Sequence, residues 1–430
     1  MAKTVKLLSE NFGKIRPDSL EDYLNAGGFE ALKKAFTMKP LDIIEEVKKS
    51  KLMGRGGAGY PTGSKWEQLY RIEKFPKYIV CNADEGEPGT FKDKLILNYD
   101  PMKLIEGMII AGYVFNSNHG YIYIRGEYPD SQNIMQTAAD VLEKTGYLGE
   151  NILGSDFSFH LHVRTGAGAY VCGENSTLLN SLEGKAGRPR KKPPHLAEVG
   201  LFELPTLVNN VESLANIPYI VLNGGDKYAS FGTEASGGTK LVCLSGNVVN
   251  RGVYEVRFGT TLREIIYELG GGVPNGRKLK LVQIGGSSGP CFDETLLDTP
   301  LCYDATWKNG ITVGSGALLV VDDSNCVVDF VKCITEFFVH ESCGKCTLCR
   351  EGNKQLLKII NKFTEGTASE KDFDAIRRIS DAMTNGAFCG LGETASRALT
   401  TCLEYFKDEF EEHINGKCRA GVCSFEKGGE

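Results

Sequence analysis

The sequence has 430 residues, 41% of them apolar, which is enough for two to four domains and more than one buried core. Its 49 basic and 55 acidic residues leave a net charge of −6 and form no long basic run, so nucleic acid is excluded as an expected partner. The opening MAKTVKLLSENFGKIR lacks a signal-like apolar stretch, and the best apolar run, residues 107–115, is too short to cross a bilayer; a soluble cytoplasmic chain with no membrane insertion is expected.

Apolar residues recur at helical spacing over residues 39–52 (Leu41, Ile44, Val47), and the chain then breaks into GRGGAGYPTG at 54–63, which reads as a backbone-dominated loop. Strand-like segments at 77–82, 121–125 and 157–163 alternate with helical ones at 102–113 and 132–144, the pattern of an α/β domain reaching about residue 235. After the linker-like ASGGTK come strands at 241–245, 253–258, 279–284 and 317–322 around one helix, TLREIIYELGG, which suggests a small β-grasp-like module over 236–324. Four helical stretches (about 326–340, 350–364, 370–384 and 392–414) then predict a helical bundle over 325–430.

The 14 cysteines concentrate after residue 325 at metal-ligand spacings, which fits a reducing compartment and bound metal better than a disulfide scaffold. Cys343, Cys346 and Cys349 form C-x2-C-x2-C, and Cys389 follows in AFCGLG. Three thiolates on one loop can grip three corners of an iron–sulfur cube while a remote cysteine takes the fourth. A four-cysteine zinc site is the alternative, but zinc usually takes two C-x2-C knuckles. Gly344, Gly390 and Gly392 leave backbone amides near the sulfurs. A second group, His413, Cys418 and Cys423 with Cys326 or Cys333 as a fourth ligand, is either a Cys3His zinc staple or a tail of free thiols. The remaining cysteines have no metal spacing and read as small core residues.

GRGGAG follows a helix and not a strand, so it fails the context of a Rossmann fingerprint. Its glycines still allow flat rings and phosphates to approach the backbone, and Arg55 and Lys65 offer positive charge. CNADEGEPGTFKD bunches Asp84, Glu85 and Glu87 at a strand end, either as a solvated turn or as acceptors for a donor array such as a ribityl chain or carboxamide. GAGAYVCGENSTLLNSLEG adds a glycine turn leading into a helix N-terminus, and Arg188, Arg190, Lys191 and Lys192 follow as a basic loop, either a solvated surface loop, the default, or one suited to a pyrophosphate.

Taken in order, GRGGAGYPTGSKW, CNADEGEPGTFKD, GAGAYVCGEN, LVNNVES and ESCGKCTLCREG…FCGLG resemble the flavoprotein subunit of respiratory complex I over residues 20–410. They are equally similar to its relatives in NAD-linked formate dehydrogenases and electron-bifurcating hydrogenases. The resemblance implies an α/β architecture: a Rossmann-like FMN- and NADH-binding domain (1–235), a ubiquitin-like β-grasp domain of SLBB type (236–324) and a C-terminal four-helix bundle with a [4Fe–4S] cluster and a Cys/His tail (325–430). It implies FMN on Gly56, Gly57, Gly59 and Lys65, with Asn82, Asp84 and Glu85 beside its polar atoms and Tyr170, Gly173, Glu174, Asn209 and Asn210 closing the pocket; Gly54, Arg55, Asn175 and Val208 belong to the same cofactor-binding set. NADH would stack over the flavin with Glu87 near the carboxamide, Gly57 and Ala58 beneath the nicotinamide, and Tyr60, Lys192 and His195 around the adenosine half. Glu87 and Lys65 would position and tune, with no acid or base required.

The chain departs from the family pattern at Asn175, where many members carry a second carboxylate, and this weakens the bias against NADP(H). His195 and Gln68 stand where rings are frequent, and Met53 replaces a frequent arginine. The tail CRAGVC, like Cys326, resembles bifurcating-hydrogenase flavin subunits more than complex I. The expected partners are a thioredoxin-like [2Fe–2S] subunit and a larger multi-cluster iron–sulfur subunit. Membership of membrane-bound complex I, or a non-catalytic metal-binding scaffold, are the alternatives.

Overall fold

The computed structural model describes residues 4–425. Strands β1 (Tyr78–Ala83), β2 (His119–Ile124), β3 (His160–Thr165) and β4 (Thr206–Asn210) form a parallel sheet in the order β3-β2-β1-β4. Three of the four match expected strands within a few residues, whereas β4, from the LVNN motif, is a strand that the residue pattern does not announce. The helix Pro101–Phe115 is almost wholly buried against the sheet, with Pro101 starting it and the Asp100 side chain capping it. Glu106, buried within this helix, accepts from Tyr23 Oη at 2.6 Å and from the Leu32 and Phe29 amides at 2.9 and 3.1 Å, which ties the N-terminal helices to the core.

A second, mixed sheet contains β5 (Thr239–Gly246), β6 (Gly252–Arg257), β7 (Leu279–Ile284), β8 (Cys291–Phe292) and β9 (Ala317–Asp322) in the order β6-β5-β9-β7-β8. The helix expected in TLREIIYELGG is wound as a π-helix, Glu264–Leu269, with the Gly270 amide bonded to the Ile265 carbonyl at 3.0 Å. The bundle opens with Val327–Glu341, Thr347–Glu365 and Glu370–Gly386 as expected. The single fourth helix expected at 392–414 is instead three short ones, Gly390–Thr394, Arg397–Tyr405 and Lys407–Ile414; Phe406, at φ −132° and ψ 30°, breaks the last two apart.

The parallel sheet and the second sheet meet over a knot of buried charge. Glu212 follows β4 and accepts from Lys240 Nζ of β5 and from the Leu241 amide at 3.0 Å; Lys92 Nζ stands at 3.0 Å and Arg55 Nε at 3.9 Å. Burial alone would raise the Glu212 carboxyl, but Lys240, Lys92 and Arg55 hold it down to about 2. Its share of stability is thus present above the unfolded value of about 4.3 and is lost as the pH falls towards the folded one. Glu212→Gln leaves three buried cations short of a partner and is expected to cost about 3–5 kcal/mol. A lowered thermal unfolding midpoint at pH 7 checks this, and a midpoint equal to that of the parent would refute it.

Candidate functional site

The carboxyl ends of β1 and β4 open into a cleft of about 950 Å³, where ligands enter open parallel sheets. Gly54, Gly56, Gly57, Ala58, Gly59, Tyr60 and Lys65 line one side of it, and Asn82, Asp84, Glu85 and Glu87 another. Tyr170, Gly173, Glu174, Asn175, Lys192, Val208, Asn209 and Asn210 complete its walls. Gly57 has a φ of +128°, a backbone conformation open to glycine, and a Cβ on Gly56 would come within 3.1 Å of the Asn210 side chain. The glycine loop is therefore a flat floor held against β4.

Two of the expected residues lie elsewhere. The Arg55 guanidinium turns away from the cleft into the core, where it bonds the Gly237 carbonyl at 2.9 Å and Tyr228 Oη at 3.2 Å and stacks over Phe258 at 4.6 Å. Its charge is committed to the Glu212 knot, so the reading of Arg55 as a source of charge for a phosphate is corrected: it fixes the loop instead. His195 is absent from the lining and its amide binds Glu198 at 2.9 Å. Glu85, though at the cleft, is chiefly a helix anchor, accepting from the Asp93 and Lys94 amides at 2.8 and 3.1 Å; burial, then the Asp93 charge, pushes it up to about 7.

Lys65 Nζ donates to the Val208 carbonyl at 2.9 Å, and burial, with Lys192 second, pulls it down to about 8. Asp84 has a buried Oδ2 with no hydrogen-bond partner among the described residues, and burial pushes the group up to about 7 against the opposing charge of Arg125. An orphaned carboxylate oxygen and a buried ammonium lining one cleft suit a ligand that brings both hydroxyl donors and anionic character. Glu174 caps the helix Asn175–Leu182 through the Thr177 amide at 2.9 Å and binds Lys192 at 2.8 Å, while Asn175 accepts from Asn82 at 3.1 Å.

Glu87 joins three parts of the chain. Tyr170 Oη donates to it, and so do the Ser288 amide at 3.0 Å and Ser288 Oγ at 3.2 Å; the Tyr170 amide in turn binds Glu341 of the bundle at 3.0 Å. Ser288, with Gly285, Thr312, Gly314 and Ser315, forms a wall that sequence reasoning missed. The signal was present in the glycine-rich GGSSGP and VGSG turns of the second module.

Cys343, Cys346, Cys349 and Cys389 line a single small cavity together with Val171, Pro189, Lys345, Phe388 and Leu391. Val171, Pro189, Phe388, Cys389 and Leu391 also line the cleft, so cavity and cleft share a wall. Cys346 stands at the N-terminus of the helix Thr347–Glu365, whose dipole favours a negatively charged group. Lys345 Nζ lies 3.9 Å from the centre of the Phe388 ring and donates to the Pro189 carbonyl, tying the cysteine loop to the basic loop.

The tail supplies a second donor set. Ligand atoms of Cys326, His413, Cys418 and Cys423 lie within 4.8 Å of one another. Cys326 Sγ is 3.8 Å from Cys423 Sγ and 3.3 Å from His413 Nε2. Tetrahedral zinc with Zn–S bonds of about 2.3 Å separates its sulfurs by about 3.8 Å, so the set fits such an ion. His413 Nδ1 meets the Glu409 carbonyl at 2.6 Å, which leaves Nε2 free as the ligand atom. Cys333 is exposed and takes no part, so of the two candidate fourth ligands the structure gathers Cys326.

Three family models match the chain: the Nuo51 FMN-binding domain over residues 47–219, the SLBB domain over 241–292 and the NADH-ubiquinone oxidoreductase-F iron-sulfur binding region over 329–413. The F subunit of the NADH-quinone oxidoreductase of Aquifex aeolicus is 43% identical over 410 residues, 95% of each chain. The chain belongs to the NADH-quinone oxidoreductase F flavoprotein family. Another relative, the NADP-reducing hydrogenase subunit HndC of Solidesulfovibrio fructosivorans, is 42% identical over 423 residues, 98% of this chain and 86% of the relative. A crystal structure of NAD+-reducing [NiFe]-hydrogenase in the H2-reduced state matches with a TM-score of 0.82 and 32% identity over 95% of this chain and 67% of that one. As a member of this family the chain is an NADH-binding flavoprotein with an FMN domain and a 4Fe–4S region, of the NADH dehydrogenase type. No helix among the described residues is long and apolar enough to cross a membrane.

Proposed function

We propose that this chain is the electron-entry subunit of a soluble, cytoplasmic assembly of hydrogenase or formate-dehydrogenase type, exchanging electrons with NAD(H) and, through Asn175, tolerating NADP(H). The observation that carries the reading is the wall shared by the cleft and the four-cysteine cavity, which sets a two-electron site directly against a one-electron site. The folded Cys/His tail and the likeness to HndC over almost the whole chain favour the hydrogenase-type assembly. Similarity to the F subunits of NADH-quinone oxidoreductases, at 43% identity, keeps membership of a quinone-reducing complex as the second reading.

In this proposal Gly56, Gly57, Gly59, Lys65, Asn82, Asp84 and Asn210 hold FMN, and Cys343, Cys346, Cys349 and Cys389 hold the [4Fe–4S] cluster. FMN, when bound, supplies hydride acceptance from the nicotinamide and release of single electrons. The chain's own part is orientation: the glycine floor lets rings lie flat, Glu87 offers a carboxylate for the carboxamide, and Tyr170 and Ser288 hold that carboxylate still. Tyr60, Glu174 and Lys192 receive the adenosine half, and Cys326, His413, Cys418 and Cys423 hold a structural zinc ion. A thioredoxin-like [2Fe–2S] subunit and a multi-cluster iron–sulfur subunit would take the electrons onward.

Lys65 gives a test of the flavin assignment. Burial in the cleft pulls it down to about 8, and an anionic ligand holds it protonated, so FMN binding takes up a proton above that pH. Between about pH 8 and pH 10 the FMN affinity of the deflavinated protein is expected to fall by close to tenfold per pH unit. Lys65→Arg is expected to abolish that fall; a parent profile that stays level to about pH 10 would remove Lys65 from the flavin site.

The nicotinamide assignment is read from flavin bleaching under anaerobic conditions. Asn175 is neutral where a carboxylate would repel a 2′-phosphate, so Asn175→Glu is expected to slow reduction by NADPH about tenfold or more relative to NADH. An unchanged NADPH to NADH ratio would place the adenosine half elsewhere.

A further inference from the structure

Three of the chain's six histidines stand together on the sheet face near the amino ends of the strands. His160 and His162 are two apart in β3, so both rings share one face, and His119 of β2 is the direct cross-strand partner of His160. His119 Nδ1 and His162 Nε2 are 3.3 Å apart, and the His119 ring centroid is 5.5 Å from that of each of the other two. His160 Nε2 meets Glu150 Oε1 at 3.3 Å, and Glu150 is itself held by Ser158 Oγ at 2.7 Å. All three histidines are half-buried, His119 against Tyr78 and His162 against Tyr121.

We propose that His119, His160 and His162 form a divalent-cation site for an imidazole-seeking metal such as Zn2+ or Ni2+, separate from the flavin cleft and both cysteine groups. Two imidazole nitrogens on one tetrahedral ion with bonds of about 2.05 Å stand about 3.3 Å apart, the spacing of His119 Nδ1 and His162 Nε2. His160 completes a three-imidazole set by turning its ring towards them. Glu150 Oε1, 3.3 Å from His160 Nε2 before that turn, is placed to take the Nε2 proton and leave Nδ1 as the ligand atom, the carboxylate–histidine pairing that accompanies metal-bound imidazole. Three neutral nitrogens select borderline cations over magnesium or calcium, which prefer oxygen. Arg164, on the same face of β3, opposes the cation, and Glu150 offsets it.

The site is remote from the redox chemistry. His119 pairs with Tyr78 at the start of β1, four residues before Asn82 at the cleft, a separation of about 13 Å along the strand. A metal there pins the edge strand β3 to β2 and plays no part in electron transfer. A plain N–H···N bond between His119 and His162 gives the same distance with no metal, and the experiment must separate the two.

The test is Ni2+ binding to the untagged, cofactor-loaded protein, counted by equilibrium dialysis and elemental analysis. The parent is expected to hold one Ni2+ per chain more than His119→Gln or His162→Gln, in an otherwise unaltered and in a Cys423→Ser background alike. Glu150→Gln is expected to weaken that ion about tenfold or more. Bleaching of the flavin by NADH should be unchanged in the His119→Gln, His162→Gln and Glu150→Gln variants of the otherwise unaltered protein and reports that they are folded. Equal Ni2+ counts in parent and histidine variants overturn the proposal. Crystals of the parent soaked in Ni2+ give a second reading free of mutation: an anomalous peak between His119 Nδ1 and His162 Nε2 supports the site, and its absence overturns it.

Discussion

The arrangement depends on one buried carboxylate. Glu212 gathers Arg55 from the glycine loop, Lys92 from the helix behind the acidic loop and Lys240 from the first strand of the second sheet. Each cation belongs to a segment that borders the cleft or joins the two sheets, so satisfying one anion fixes their relative positions. A buried charge left unpaired is costly, and the segments cannot drift apart without creating one. This is why the glycine floor can be flexible in sequence yet fixed in place: Arg55 clamps it from below, and Tyr303 Oη bonds the Gly54 carbonyl at 3.0 Å.

Above that knot the cleft is a meeting point of all three modules. Glu87 comes from the parallel sheet, Ser288 from the second sheet, and Tyr170 leans on Phe337 of the bundle with ring centroids 5.1 Å apart. Rigid placement of Glu87 thus requires the whole chain, not the FMN domain alone. The same convergence brings Cys389 to the edge of the cleft, since the short helix after it packs where Val171 and Pro189 form the common wall. On the proposed assignment this common wall is the electron exit.

Local chemistry was the most legible part of the sequence. C-x2-C-x2-C with a distant Cys389 marked the four-cysteine cavity, and the strand–helix alternation marked the α/β sheet, because both are written in short spacings. What escaped was set by long-range contact. Arg55 read as a free cation because nothing near it in sequence shows that Glu212 lies within 3.9 Å. Ser288 and Ser315 were missed because their turns border the cleft only after the second sheet docks. Cys326 and Cys333 were both open as the fourth ligand; they lie two helical turns apart, and position along the helix decided between them, Cys326 at its N-cap being buried against His413 and Cys333 exposed. The break at Phe406 follows from packing, for the 392–414 stretch carries no glycine or proline at that point.

The central claim is that the cleft passes electrons straight to the cage of Cys343, Cys346, Cys349 and Cys389. Freeze-quench electron paramagnetic resonance after anaerobic mixing with NADH tests it most directly, with flavin bleaching followed in parallel. The account predicts that the parent develops an iron–sulfur signal as the flavin bleaches, and that Cys389→Ser bleaches its flavin but gives no such signal. An undiminished signal in Cys389→Ser, or a parent flavin that bleaches while the cluster stays silent, would contradict it.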